Sequence, residues 1–236
     1  MMFRYYCPRI STAVALALGA MCHAAQADGM SEDALLSEAR SAIEESSSKL
    51  RAMEPKALAE SDARRNGDRL ELRLRSGKIR TYIDRAECEK PDEEAKCERY
   101  SLIVHARTRS TFILAKHLYE GLDVIVVDDN AGEETKLGSI PTFSPTGQHL
   151  IVFLENDEQL GFEVQIWRRD GTRFIEEWSG SPNSDGTYVA YRLVQWPSEN
   201  VVTVESKTSY DPPKPDVVKQ MTIRRDADGW AVLNGG

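Results

Sequence analysis

The sequence predicts an all-β protein, an array of short antiparallel sheets with one N-terminal helix. Three observations predict it. First, residues 121–178 hold four apolar runs rich in β-branched residues: Val124–Val127, His149–Leu154, Glu163–Trp167 and Arg173–Trp178. Each is bounded by turn chemistry, Asp128-Asp129-Asn130-Ala131-Gly132, Ser144-Pro145-Thr146-Gly147 and Arg169-Asp170-Gly171. Glycine supplies the positive φ that a tight hairpin turn needs, so these are strand–turn–strand signals. Second, the chain echoes itself. Phe143–Val152 resembles Gln195–Val204, the prolines 52 residues apart; Ile166–Asp170 resembles Thr222–Asp226 at an offset of 56; Val124–Asp129 resembles Val164–Arg169 at 40. Third, only one stretch, Asp28 to Glu60, has helical periodicity.

A repeat of about 40–50 residues holding several short strands is the signature of propeller blades. Ile140-Pro141-x-Phe143-Ser144-Pro145-x-Gly147-x-x-Leu150-x-Val152-Phe153, then Val164-x-Ile166-Trp167-x-x-Asp170-Gly171, resembles a TolB-type (WD40-like) β-propeller repeat. The resemblance covers one blade well and a second fairly. It departs at Glu199, which replaces the first glycine of the later copy. It implies a propeller-like fold, and protein–protein contact in the periplasm through loops at one rim. From Asp68 onward the chain has room for about four blades of ~42 residues. A small or incomplete propeller-like array is therefore expected, with a β-sandwich or barrel as the alternative.

The elements follow in order. Residues 1–27 read as a cleavable secretory signal: Arg4 and Arg9, a short apolar core from Ile10 to Met21, and an Ala25-Gln26-Ala27 cleavage site, with the cut after Ala27. A periplasmic or secreted location is expected. The apolar core is too short for a membrane span, and no later run is long enough. Residues 28–66 form the helical extension. Ser31 is the expected N-cap, Glu32 and Asp33 suit the positive end of the helix dipole, and Pro55 should end the helix at or before Glu54. Residues 67–236 form the β region. Leu70, Leu72 and Leu74 alternate with charged residues, Ser76-Gly77 turns the chain, and Ile79, Thr81 and Ile83 continue the alternation. Tyr100–Ala106, Thr111–Leu118, Tyr188–Val194, Val201–Ser206, Val218–Ile223 and Trp230–Leu233 are the further strands.

Two of the four cysteines leave with the signal. Cys88 and Cys97 remain, and an even pair at short spacing in an oxidising compartment reads as a disulfide. In the chain-entropy picture so small a loop adds about 2.5–3 kcal/mol.

Loss of Arg4 and Arg9 takes the formal charge from −8 to −10. That balance repels nucleic acid and favours cationic partners. The catalytic and nucleotide-binding motifs with clear sequence patterns are absent, and no cofactor or metal is called for. His105, His117 and His149 lie in strand patterns and read as packed residues. Asp128-x-Asn130-x-Gly132 with Glu133 is the best oxygen-ligand cluster, but it lacks the twelfth-position glutamate of a calcium loop and reads as a turn. The four tryptophans follow the repeat and read as packing between blades.

The expectation is an exported, non-enzymatic protein-binding module of the cell envelope. Its contact residues are expected in three rim loops: Asp128, Asp129, Asn130 and Glu133; Asn156, Asp157 and Glu158; Asn183 and Asp185. Two alternatives stand beside it: an inhibitor or immunity-type protein against a cationic hydrolase, and an enzyme with a site at the propeller mouth. Nothing in the pattern sets an oligomeric state.

Overall fold

The computed structural model describes residues 31–45, 47–85, 97–119, 121–156, 161–181, 189–208 and 216–233. Residues Glu32–Gly236 make one compact unit. Among the described residues two helices, α1 (Glu32–Glu45) and α2 (Ser47–Ala59), precede fifteen strands. The strands form four antiparallel sheets, each with its strands in chain order. The first sheet holds β1 (Ala63–Asn66), β2 (Arg69–Arg73) and β3 (Ile79–Ile83). The second holds β4 (Arg99–Ala106), β5 (Thr111–His117), β6 (Leu122–Asp128) and β7 (Glu134–Leu137). The third holds β8 (Thr142–Phe143), β9 (His149–Asn156), β10 (Gly161–Asp170) and β11 (Arg173–Gly180). The fourth holds β12 (Val189–Ser198), β13 (Val201–Thr208), β14 (Val217–Asp226) and β15 (Gly229–Leu233).

This is the expected all-β class, in an array of antiparallel sheets compatible with a propeller-like arrangement, and among the described residues no sheet closes into a barrel. The echoed segments fall on equivalent strands. Val124–Asp128, Val164–Arg169 and Thr222–Asp226 lie on β6, β10 and β14, the third strands of three successive sheets. The Ser144–Gly147 segment turns between the first and second strands of the third sheet, while of the echoed Trp196–Glu199 the first three residues end β12 and Glu199 opens the turn to β13.

Burial explains the two kinds of strand pattern. The second sheet is covered on both faces, so β4, β5 and β6 are near-continuous apolar runs. The first sheet is covered on one face only, and β2 alternates exposed with buried residues. Leu70, Leu72, Leu74 and Tyr82 of the first sheet pack on Leu102, Phe112, Leu114 and Val127 of the second. Ile151, Val164 and Ile166 of the third sheet pack on Tyr191, Val202, Val204, Ile223 and Trp230 of the fourth. Trp178 and Trp196 lie against that core, as the packing reading of the tryptophans expected.

Two expectations need correction. The single N-terminal helix is two helices, and Pro55 lies inside α2 rather than ending it. A proline opens the backbone bond to the residue four before it, here Arg51. Pro55 and Arg51 are both exposed, so the freed carbonyl meets water, while Leu50 and Ala57 keep the other face buried. The β region also starts earlier than residue 67, because β1 begins at Ala63. Both helices pack on β4 with Leu35, Leu36, Ala39, Leu50 and Ala57 buried. Arg40 on α1 donates to the Pro141 carbonyl (3.0 Å) and to Thr142 Oγ1 (2.7 Å), so α1 also reaches the third sheet. Cys97 is buried, and its expected partner Cys88 lies outside the described residues.

Candidate functional site

The turns β2–β3, β4–β5, β6–β7, β8–β9, β10–β11 and β12–β13 gather along one edge of the array, tied to one another by charged side chains. The β6–β7 turn is built by its first residue. Asp128 Oδ1 accepts the N–H groups of Asn130 (3.0 Å) and Ala131 (2.6 Å), and the Gly132 N–H returns to the Asp128 carbonyl (2.9 Å). This is an Asx turn, the plain hairpin expected over a calcium loop. Gly132 holds φ +76, and a Cβ there would stand 2.8 Å from Leu74 Cδ1. Gly132→Ala should therefore cost about 1–2 kcal/mol. Urea unfolding measures it, and a variant as stable as the parent would show that the turn is not so constrained.

Asp129 points inward and is buried. Its Oδ2 takes Arg75 Nε of the β2–β3 turn at 2.8 Å and lies 3.5 Å from His105 Nε2. His105 stacks on Phe112 at 3.9 Å between ring centres. Burial, helped by the Arg107 charge, lowers the His105 pKa against the upward pull of Asp129. Asp128 Oδ2 faces Arg169 of β10 at 3.5 Å, and Arg169 donates to the Arg109 carbonyl in the β4–β5 turn (2.7 Å). Arg109 in turn holds Glu32 and Asp33 at the start of α1, both at 3.0 Å. The first-turn acids thus serve a sheet contact as well as the helix dipole. Glu133 accepts the Thr172 hydroxyl of the β10–β11 turn (2.7 Å).

A second cluster joins the third and fourth sheets through Glu199. Its Oε1 accepts the Thr146 N–H (2.8 Å); its Oε2 accepts Ser144 Oγ–H (2.7 Å) and lies 3.1 Å from His149 Nδ1. Burial pushes the Glu199 carboxyl upward, but the bonds from Thr146, His149 and Ser144 together hold it below the usual range. Glu177 stands across the same histidine, with Oε2 3.3 Å from His149 Nε2 and accepting Trp230 Nε1–H (2.9 Å), and Oε1 accepting Arg225 (2.7 Å). Ser144, His149 and two glutamates in one cluster invite comparison with a nucleophilic triad, and the geometry answers it. Ser144 is fully buried; its hydroxyl donates to Glu199 and accepts the His149 backbone N–H (3.0 Å). Its lone pairs face the turn, and the cluster acts as a clasp between sheets.

The expected site residues divide. Asp128 and Asp129 are buried at the β6–β7 turn, and Asn130 and Glu133 are exposed on it. Asn156 ends β9, at the sheet edge opposite the β8–β9 turn, and β11 likewise runs away from the β10–β11 turn to Gly180. The three loops were expected at one rim. The strands carrying the second and third end at the other edge, because an antiparallel meander alternates its connections between two edges. Asp157, Glu158, Asn183 and Asp185 lie outside the described residues. Sequence reading missed Arg75, Arg169, Glu177 and Glu199 as members of the site. Glu199 left a trace, as the residue that breaks the glycine of the repeat, and Arg75 another, as one of the run of arginines Arg69, Arg73, Arg75 and Arg80 that reads as a solvated basic strand face. Among the described residues, no group of three or more His, Cys, Asp or Glu side chains could hold a metal ion. No helix among them is long and apolar enough to cross a membrane.

The chain matches no protein-family model, no curated protein and no solved structure.

Proposed function

We propose that this is an exported, non-enzymatic protein-binding module of the cell envelope, built from TolB-type-like blades and presenting one rim of clasped turns to its partner. One observation carries the reading. The turns are fixed from behind by charged side chains, the buried Asp129 pairing with Arg75 and the half-buried Glu199 accepting from Ser144 and the Thr146 N–H, while Asn130, Glu133 and the Thr146 side chain stay exposed on them. Rigid loops on a sheet scaffold lose little entropy on binding, which suits recognition. The sequence supports export through the leader, and the negative charge left after cleavage supports a cationic partner.

The test is capture from an envelope extract of the source organism, with the chain expressed with its leader and immobilised in oxidised form. A stoichiometric partner should appear at low salt and dissociate as salt rises. Reversing charge on the rim in an Asn130→Lys, Glu133→Lys double variant should weaken capture at least tenfold. Equal capture by the variant, or none by the parent, would count against the rim. The same negative charge favours an inhibitor of a cationic hydrolase as the second reading, and the identity of the captured protein separates the two.

A further inference from the structure

Among the described residues the first sheet has three strands where each of the others has four. Its outer strand, β3, pairs only with β2 among the described residues, in the register Arg69↔Ile83, Glu71↔Thr81 and Arg73↔Ile79. The flanking backbone bonds, Leu74 N–H to the Lys78 carbonyl and Asp84 N–H to the Asp68 carbonyl, set the phase of that ladder. Counting inward by twos, Arg80 and Tyr82 bond toward β2. Ile79, Thr81 and Ile83 therefore point their N–H and C=O groups outward. One step further along the same edge, Arg85 pairs with Glu98, so the edge is competent for antiparallel pairing. The ladder does not continue onto β4, because side chains cap that strand instead. Tyr100 N–H goes to Asp84 Oδ1 (2.8 Å), Leu102 N–H to Glu54 Oε1 (3.0 Å), and the Tyr100 carbonyl accepts Arg65.

Exposure and charge say what suits this edge. Ile79 and Ile83 are 51% and 46% exposed, large apolar side chains in water on a strand with open backbone groups. Folded proteins usually blunt such an edge or cover it. Their face also carries Arg64, Arg69 and Arg73 against two carboxylates, Glu71, which pairs with Arg64, and Asp62, which turns to Arg107. The other side of β3 borders a groove of about 510 Å³ between the first two sheets, lined by Arg80, Arg85, Lys116 and Lys136; Arg80 pairs with Glu134, Lys116 with Glu98 and Lys136 with Asp123, so four cations stand against three carboxylates. Cations exceed carboxylates on both sides of the strand, in a chain whose net charge is −8.

We propose that the free edge of β3 takes up an extended acidic segment of a partner protein as the fourth strand of this sheet. Outward backbone groups of Ile79, Thr81 and Ile83 supply the pairing. Acidic side chains of the added strand meet Arg80 and Lys136 on one face and Arg69 and Arg73 on the other, while its apolar side chains cover Ile79 and Ile83. Backbone pairing gives affinity in this mode and alternate side chains give specificity. The inference rests on the binding-module reading only in taking the partner to be a protein, and it uses a different surface from the clasped rim.

The probe is a capped ten-residue peptide of alternating Val and Glu, titrated into the full exported chain, with amide exchange read at Ile79, Thr81 and Ile83. Saturable binding that weakens with salt and slows exchange at those three amides is expected. The same peptide N-methylated at alternate amides keeps its charge and should bind at least tenfold more weakly. A Val/Lys peptide should not bind. Thr81→Pro removes one outward N–H and leaves the β2–β3 ladder intact, a place where an edge strand accepts proline; it should cost at least tenfold. Lys136→Glu should weaken binding several-fold. Equal binding of the N-methylated peptide would overturn the proposal in favour of charge alone, and it needs no variant to fold. Concentration-dependent self-association protecting the same amides would overturn it in favour of a second copy. The rim variant Asn130→Lys, Glu133→Lys should bind the peptide normally. Failure at β3 thus leaves the rim reading standing, and failure at the rim leaves β3 standing.

Discussion

Arg65→Ala is expected to destabilise the protein by about 2–4 kcal/mol. Arg65 sits on β1 with its side chain 19% exposed, and it serves three elements at once. Its guanidinium pairs with Glu54 of α2 at 2.8 Å and with Asp84 beyond β3 at 3.1 Å, and donates to the Tyr100 carbonyl of β4. The two carboxylates also hold the backbone N–H groups of Leu102 and Tyr100. Removing the cation leaves both acids largely out of water and unpaired. An unpaired buried charge costs more than the pair contributes, and residual solvent access lowers the figure from the fully buried case. Arg65→Lys should recover only part, since an ammonium cannot span both acids with the planar fork of a guanidinium. Urea unfolding gives the energy, and amide exchange at Tyr100 and Leu102 should accelerate in the alanine variant. A loss below about 1 kcal/mol with unchanged exchange would show that β4 is held by packing alone. Arg73→Ala, on the exposed face of the same sheet, is the control and should stay within about 0.5 kcal/mol.

Acidification from pH 7 to pH 4 should weaken the fold by up to about 3 kcal/mol through His117 alone. His117 is 6% exposed at the end of β5, with Nε2 3.1 Å from Ser101 Oγ. Burial, and then the charges of Arg51 and Arg99, lowers its pKa from 6.5 to about 4. The unfolded chain takes up the proton near pH 6.5 and the folded chain only near pH 4. Between these values the unfolded state binds more protons, so stability rises with pH. The contribution is intact above pH 6.5 and is lost progressively as pH falls toward 4. Burial lowers His105 in the same direction. The lowered carboxyls of Glu98, Glu177 and Glu199 add a further acid loss, as pH falls through their depressed values. His117→Gln keeps a hydrogen-bonding partner for Ser101 and cannot titrate, so its unfolding free energy should fall less between pH 6.5 and 4. The difference between the two profiles isolates His117 from the carboxylates. Parallel profiles would place the acid sensitivity elsewhere.

Local chemistry carried the strands and turns. The Asp128–Gly132, Ser144–Gly147 and Arg169–Gly171 turns were legible because side-chain capping and positive φ act within a few residues. The apolar runs and the alternation at Leu70 and Leu72 were legible too, but that the first marks a sheet covered on both faces and the second a sheet covered on one is decided by burial in the fold. Short strands were not legible. In β7, Glu134–Leu137, only Thr135 and Leu137 carry the alternation, and β8 is two residues long. Such strands form because a neighbouring strand supplies the ladder, a contribution with no signature of its own.

The sequence by itself therefore determined the fold class, the repeat, the hairpin turns and the packed character of the three strand histidines. Tertiary structure alone decided which charges meet. Glu199 closes on Ser144, Thr146 and His149 across 50 to 55 residues, and Arg109 reaches Glu32 and Asp33 across 76 to 77. It also decided that Pro55 stays within a helix, because Arg51 faces water, and that among the described residues β3 pairs on one side only, because Asp84, Glu54 and Arg65 cap the strand beside it. Strand and turn preferences act between neighbours in the chain, whereas ion pairs and sheet edges depend on what folding brings alongside.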